Sequence, residues 1–230
     1  MVGAFRSVDR RRRIGFDWML IAAALVAGAL LAGTVIRSGT VGQVAQFGTQ
    51  VGGLRSLGPN ERLVVFEDMS SGAGAGWSGG RRDAAHVGLG AIWLADPPHA
   101  PLTREIALPE GTVRAVLSLD LIAIDAWARE GLELRVNGAP VLRQRFGPDA
   151  PATETIAAEH VTLRGRLAPP QALGFDPAQA EQRLSVAVAV TTPGATISLA
   201  IHPLPADGAA DGPAPTWAVD NLIVVAESLP

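Results

Sequence analysis

Gly76-Trp77-Ser78-Gly79-Gly80 fits the G-x-S-x-G pattern that raises a serine nucleophile on a sharp strand-to-helix turn. That geometry needs a strand before the serine and a helix after it, and the flanking residues predict neither. The segment therefore reads as a glycine-rich loop. Gly74, Gly76 and Gly79 also satisfy G-x-G-x-x-G, but no βαβ unit surrounds them and Arg81-Arg82 opens no helix that would receive a phosphate. His86, His99, His160 and His202 lack the short spacing of zinc ligands. Glycoside hydrolysis needs two carboxyls about 5 to 10 Å apart. Asp120, Asp125, Glu130 and Glu133 are the acids that would supply such a pair, without a compact acidic signature around them. Trp77, Trp93, Trp127 and Trp217 would stack on sugars if exposed, but each stands beside apolar strand residues and so reads first as core.

Composition limits the field further. The chain has 230 residues, 48% of them hydrophobic, which is enough for a core. Its formal charge of -3 hides an uneven distribution: residues 1–57 carry seven Arg against two Asp, and residues 58–230 carry twelve Arg against twenty acids. A folded part with a net charge of about -8 repels polyphosphate, which argues against nucleic acid as a partner. Cysteine is absent, excluding disulfides, thiolate metal sites and thiol nucleophiles together. All basic residues are Arg and tyrosine is absent, a compositional bias that carries no chemistry.

Arg10 to Arg13 stand just before an uncharged run, Met19 to Ile36. As a helix those eighteen residues span about 27 Å, close to the hydrocarbon thickness of a bilayer. Trp18 falls at the interface, and the basic cluster predicts a cytoplasmic N-terminus. The layout predicts a retained signal anchor through residues 16–37. A cleaved leader has the same layout, with Ala27, Ala29 and Ala32 as cleavage points. Val41, Val44, Phe47, Val51 and Leu54 then recur at helical spacing, predicting a juxtamembrane stalk over 38–60 that Gly58-Pro59 brings to an end.

From Leu63 the apolar period becomes two. Val113, Ala115, Leu117, Leu119 and Leu121 alternate with Arg114, Ser118 and Asp120. The same alternation recurs in Leu132–Val136, Leu184–Val190 and Ile197–Ile201. Asn137-Gly138 between two such runs signals a tight hairpin whose central residues need positive φ, and Thr192-Pro193-Gly194 predicts a second hairpin. Pro169-Pro170, Pro203 to Pro205 and Asp207 to Pro215 predict loops. About nine short strands with turn residues between them predict a sandwich.

Two resemblances rest on particular residues. Phe66-Glu67-Asp68, Gly76-Trp77-Ser78-Gly79 and the closing Val219-Asp220-Asn221-Leu222-Ile223-Val224 resemble the first and last strands of jelly-roll carbohydrate-binding modules and related bacterial surface domains. Ile124-Asp125-Ala126-Trp127-Ala128-Arg129-Glu130, with Val136-Asn137-Gly138 after it, resembles an Ile-Asp-Ser-Trp-Asp-Gly-Glu and Val-Asn-Gly pattern of such domains. Ala126, Ala128 and Arg129 depart from that pattern. This resemblance implies an all-β, jelly-roll-like antiparallel sandwich over 61–230, with ligand contacts from Trp77, Asp125, Trp127 and Glu130. It also implies a structural calcium held by Glu67 or Asp68 together with Asp220. Separately, Phe16-Asp17-Trp18-Met19-Leu20-Ile21-Ala22-Ala23 resembles the membrane helix of the small pilins of tight-adherence systems, with Asp17 and Trp18 in place of Glu and Tyr. Gly15 lies closer to the acidic residue than that family's processing glycine does.

The expectation is a single-pass inner-membrane protein: a basic cytoplasmic segment 1–15, a transmembrane helix 16–37, a stalk 38–60 and a sandwich 61–230 in the periplasm or at the cell surface. Its expected role is binding or adhesion without catalysis, through a glycan or an envelope protein and in a pilin-like subunit. A periplasmic glycosidase-like enzyme and a purely structural envelope subunit are the alternatives.

Overall fold

The computed structural model describes residues 57–69, 76–86, 89–125, 127–150, 152–173, 176, 178–206 and 215–230. The predicted segments 1–15 and 16–37, the stalk up to residue 56 and most of the 207–215 loop lie outside these residues. Among the described residues all regular elements are strands, thirteen of them against the nine or so expected, and no helix there is long and apolar enough to cross a membrane.

The strands form two antiparallel sheets packed as a sandwich. In the first sheet the order is β10 (Val161–Leu167), β11 (Gln182–Thr191), β6 (Thr112–Ala123), β13 (Trp217–Ser228), β4 (Gly90–Leu94) and β3 (Arg81–His86), with β1 (Glu61–Glu67) also paired to β13. The second sheet runs β2 (Trp77–Ser78), β5 (Leu102–Ala107), β12 (Thr196–Leu204), β7 (Gly131–Val136), β8 (Ala139–Arg145) and β9 (Glu154–Thr155). Period two places alternate side chains on opposite faces. Leu117, Leu119 and Leu121 of β6 point inward against Leu134 of β7 and Leu199 of β12, all within one core cluster.

Asn137 and Gly138, at φ 51° and 79°, form the predicted two-residue turn joining β7 to β8. Thr192-Pro193-Gly194 is not a hairpin. It also bends through positive φ at Thr192 and Gly194, but β11 belongs to the first sheet and β12 to the second, so it carries the chain across the sandwich. Pro203 likewise lies within β12, opposite Leu132, rather than in a loop.

One bulge governs the outer face of the first sheet. Asp220 of β13 faces Asp120 of β6, and the next pair is Ile223 with Ser118, so β13 carries one extra residue there. Asn221, at φ 54°, lies within that irregular stretch. Before it β13 borders β4 through Ala218 and Val219; after it the same edge borders β1 through Leu222 to Glu227. An extra residue reverses inside and outside along a strand. Val219 and Leu222 consequently both face the core, while Asp220 and Ile223 share the outer face.

Candidate functional site

The acids of the Phe66-Glu67-Asp68 run separate at the end of β1. Glu67 faces Leu222 in register and turns into the sandwich. There Arg104 of β5 grips it from the opposite sheet, with nitrogen-to-oxygen distances of 2.7 and 2.9 Å. Trp77, the neighbour of Arg104 across the β2–β5 ladder, donates its indole N–H to Glu67 at 3.2 Å. The guanidinium also lies 5.8 Å from the Trp77 ring centre, within cation–π range. Burial pushes the Glu67 carboxyl above its ordinary value, against the pull of Arg104 and Trp77. Trp77 is buried and offers no face to a sugar.

The Ile124–Glu130 turn is used equally for architecture. Trp127 is buried, donates its indole N–H to the carbonyls of Ile124 and Thr216, and meets Phe146 edge to face at 5.0 Å. Glu130 caps the turn by accepting the Ala128 N–H at 2.6 Å. Asp125 and Arg129 both take positive φ. The turn, which leads from β6 into β7, keeps Asp125, Trp127 and Glu130 in one short stretch of chain. It does not bring them to Trp77, since β5 and β12 lie between β2 and β7.

On the outer face of the first sheet a polar cluster surrounds Asp220. Asp120 and Asp220 are 1% and 5% exposed. Asn221 donates its side-chain N–H groups to both, at 2.8 and 3.2 Å. Ser185 donates to Asp120 at 2.6 Å and Arg183 approaches it at 3.6 Å. Burial above all, with the charges of Asp120 and Asp68 adding to it, pushes the Asp220 carboxyl up to about 7.

These donors do not suit calcium, which takes six to eight oxygens. Glu67 stands on the opposite face of the sheet and is held by Arg104. An amide N–H donor bridges Asp120 and Asp220. No three acids or histidines among the described residues are grouped to hold a metal ion.

The open concavities lie elsewhere. A hollow of ≈ 440 Å³ is lined by Ala128, Arg129, Arg145, Phe146, Pro148 and Asp149, among others. Arg145 also lines a second hollow of ≈ 350 Å³ with Glu133, Arg143, Glu154 and Leu204. Arg145 itself donates to the carbonyls of Arg129 and Pro205, which fixes its guanidinium between the two. Beneath the second hollow, Glu133 accepts Nε–H groups from Arg135 and Arg143 at 2.6 and 2.7 Å. Burial pushes the Glu133 carboxyl up, but the hydrogen bonds from Arg143 and Arg135 outweigh it and hold the carboxyl below its ordinary value. Each of these two arginines commits one N–H to Glu133 and carries four more.

Sequence reasoning did not single out these arginines. The visible signal was the alternation in Arg143-Gln144-Arg145, which puts both arginines on one face of β8. No protein-family model matches the chain, and no curated protein matches it.

Proposed function

We propose that the chain is a membrane-tethered, extracytoplasmic binding module of jelly-roll type that contacts an anionic envelope glycan without hydrolysing it. The observation that carries this reading is the shared position of Arg145 between two hollows whose walls also contain Arg129 and Arg143. The net negative charge of the folded part opposes long-range attraction of a polyanion, so the contact is a local one. Guanidinium groups pair with carboxylates through parallel N–H donors, a short-range geometry that suits single uronic-acid residues of a polymer. The tether is supported by Arg10 to Arg13 preceding the uncharged Met19 to Ile36. The burial of Trp77 and Trp127 favours polar over stacking recognition. Among the acids of the glycosidase alternative, Asp120 is buried and Glu133 is buried and held by Arg135 and Arg143, which favours binding, because a scissile bond must reach both carboxyls.

The test is retention of the detergent-solubilised full chain on immobilised polygalacturonate and on neutral dextran. Selective, salt-sensitive retention on the acidic polymer is expected. Equal retention on both, or none on either, overturns the reading and leaves a structural envelope subunit.

A further inference from the structure

We propose that Asp120 and Asp220 form a proton-held latch on β13: a proton on the pair keeps the strand closed at Asn221, and its loss loosens β1 from the sheet edge.

The placement of the pair carries the argument. Asp120 and Asp220 face each other across the β6–β13 ladder on the outer side of the sheet, both buried. Asn221 bridges the two carboxyls at the point where the edge of β13 changes partner from β4 to β1. Two buried carboxylates this close repel strongly unless one is protonated or a cation intervenes. Asp120 has Ser185 and Arg183 of β11 as further partners. Asp220 takes its hydrogen bonds from Asn221, through the backbone N–H at 2.7 Å and the side chain at 3.2 Å. The proton is therefore assigned to Asp220.

The surrounding charges agree. Asp68, one residue beyond β1, adds negative charge, and Arg183 from β11 supplies positive charge. From β10, Arg166 stands opposite Ser185 in register and is exposed. The β4 residues Ile92 and Leu94 on this side are apolar. On deprotonation the Asp220 proton leaves to solvent as a simple acid dissociation, and repulsion among Asp220, Asp120 and Asp68 then acts at the junction that holds β1. Apart from the Glu67–Arg104 pair at its end, β1 is attached by one ladder, to the stretch of β13 that starts at this junction, so repulsion there acts directly on its hold.

Hydrogen exchange by mass spectrometry on the full chain in detergent, at pH 5.5 and 8.0 and corrected for intrinsic rates, tests this. Amides of β1 and of 222–227 should lose at least tenfold more protection at pH 8.0 than amides of 184–190, which report only the global loss of stability; a loss of equal size in both sets overturns the latch. Asp220→Asn, a neutral isostere, should abolish the difference; if that variant fails to fold, Asp120→Asn serves the same purpose. Equal protection at both pH values in the unsubstituted chain, or a pH difference that survives substitution, overturns the proposal. Restoration of protection at pH 8.0 by millimolar calcium also overturns it, since the pair would then be a cation site.

Discussion

Glu67, the last residue of β1, meets Arg104 of β5 at 2.7 Å across the interior of the sandwich, and this buried ion pair joins the two sheets. Its acid belongs to a strand that has one ladder, so the contact from within supplements the hold on β1. Breaking such a pair from one side leaves a buried charge uncompensated, typically at about 3–5 kcal/mol, whereas replacing both partners by neutral groups is often close to neutral. Arg104→Met should therefore destabilise the domain by about that amount. The double variant Glu67→Gln/Arg104→Met should recover most of it, as read from thermal unfolding followed by tryptophan fluorescence.

Asp220 makes stability depend on pH in a defined direction. Its carboxyl has an ordinary value of 3.8 and is pushed up to about 7 by burial first. Between those values the folded chain holds a proton that the unfolded chain has released, so folding takes up a proton. The contribution is fully present below about 3.8 and is lost as pH rises through about 7. It amounts to roughly 4 kcal/mol at about 1.4 kcal/mol per unit. The melting temperature should fall from pH 5 to pH 8, and Asp220→Asn should flatten that slope by raising stability at pH 8. A steeper slope in the variant would contradict the assignment.

Two glycines separate backbone strain from steric collision. A Cβ at Gly138 would meet nothing within 4 Å, so Gly138→Ala should cost only the strain of positive φ, about 1–2 kcal/mol. At Gly147, φ is 123° and a Cβ would lie 2.6 Å from the Trp127 carbonyl oxygen. Gly147→Ala should cost clearly more than Gly138→Ala and should also deform the hollow that Gly147 helps line. Comparing denaturation midpoints of the two variants checks the order.

Arg129 is exposed on the wall of the ≈ 440 Å³ hollow. Arg129→Gln should leave the melting temperature within about 1 °C while lowering retention on polygalacturonate severalfold. Arg145→Gln should lower both, because Arg145 also holds the carbonyls of Arg129 and Pro205. A loss of retention only where stability also falls would mean that the hollow acts through folding alone.

The long strands and one turn follow from local geometry. Alternation in Val113–Leu121 and Leu184–Val190 depends only on the two-residue period of a strand with one buried face. The Asn137-Gly138 turn depends only on two φ angles, so these elements and the sandwich class were legible without coordinates. Residues whose meaning depends on register were not. Without a bulge, the turn at Asn137-Gly138 would set Glu133 opposite Leu142; an irregularity between Leu134 and Arg135 moves the register by one and brings Arg143 there instead. The extra residue in β13 likewise reverses the strand's faces at Asn221 and decides that Asp220 joins Asp120 rather than Glu67. Thr192-Pro193-Gly194 has the residues of a hairpin, yet it crosses between sheets because the partner of the strand after it is chosen by burial far along the chain. Sequence by itself determined the long alternating strands, the Asn137-Gly138 turn and the basic segment before an uncharged span. The tertiary structure alone decided which charges meet, since a one-residue shift costs little locally but exchanges the inside of a strand for its outside.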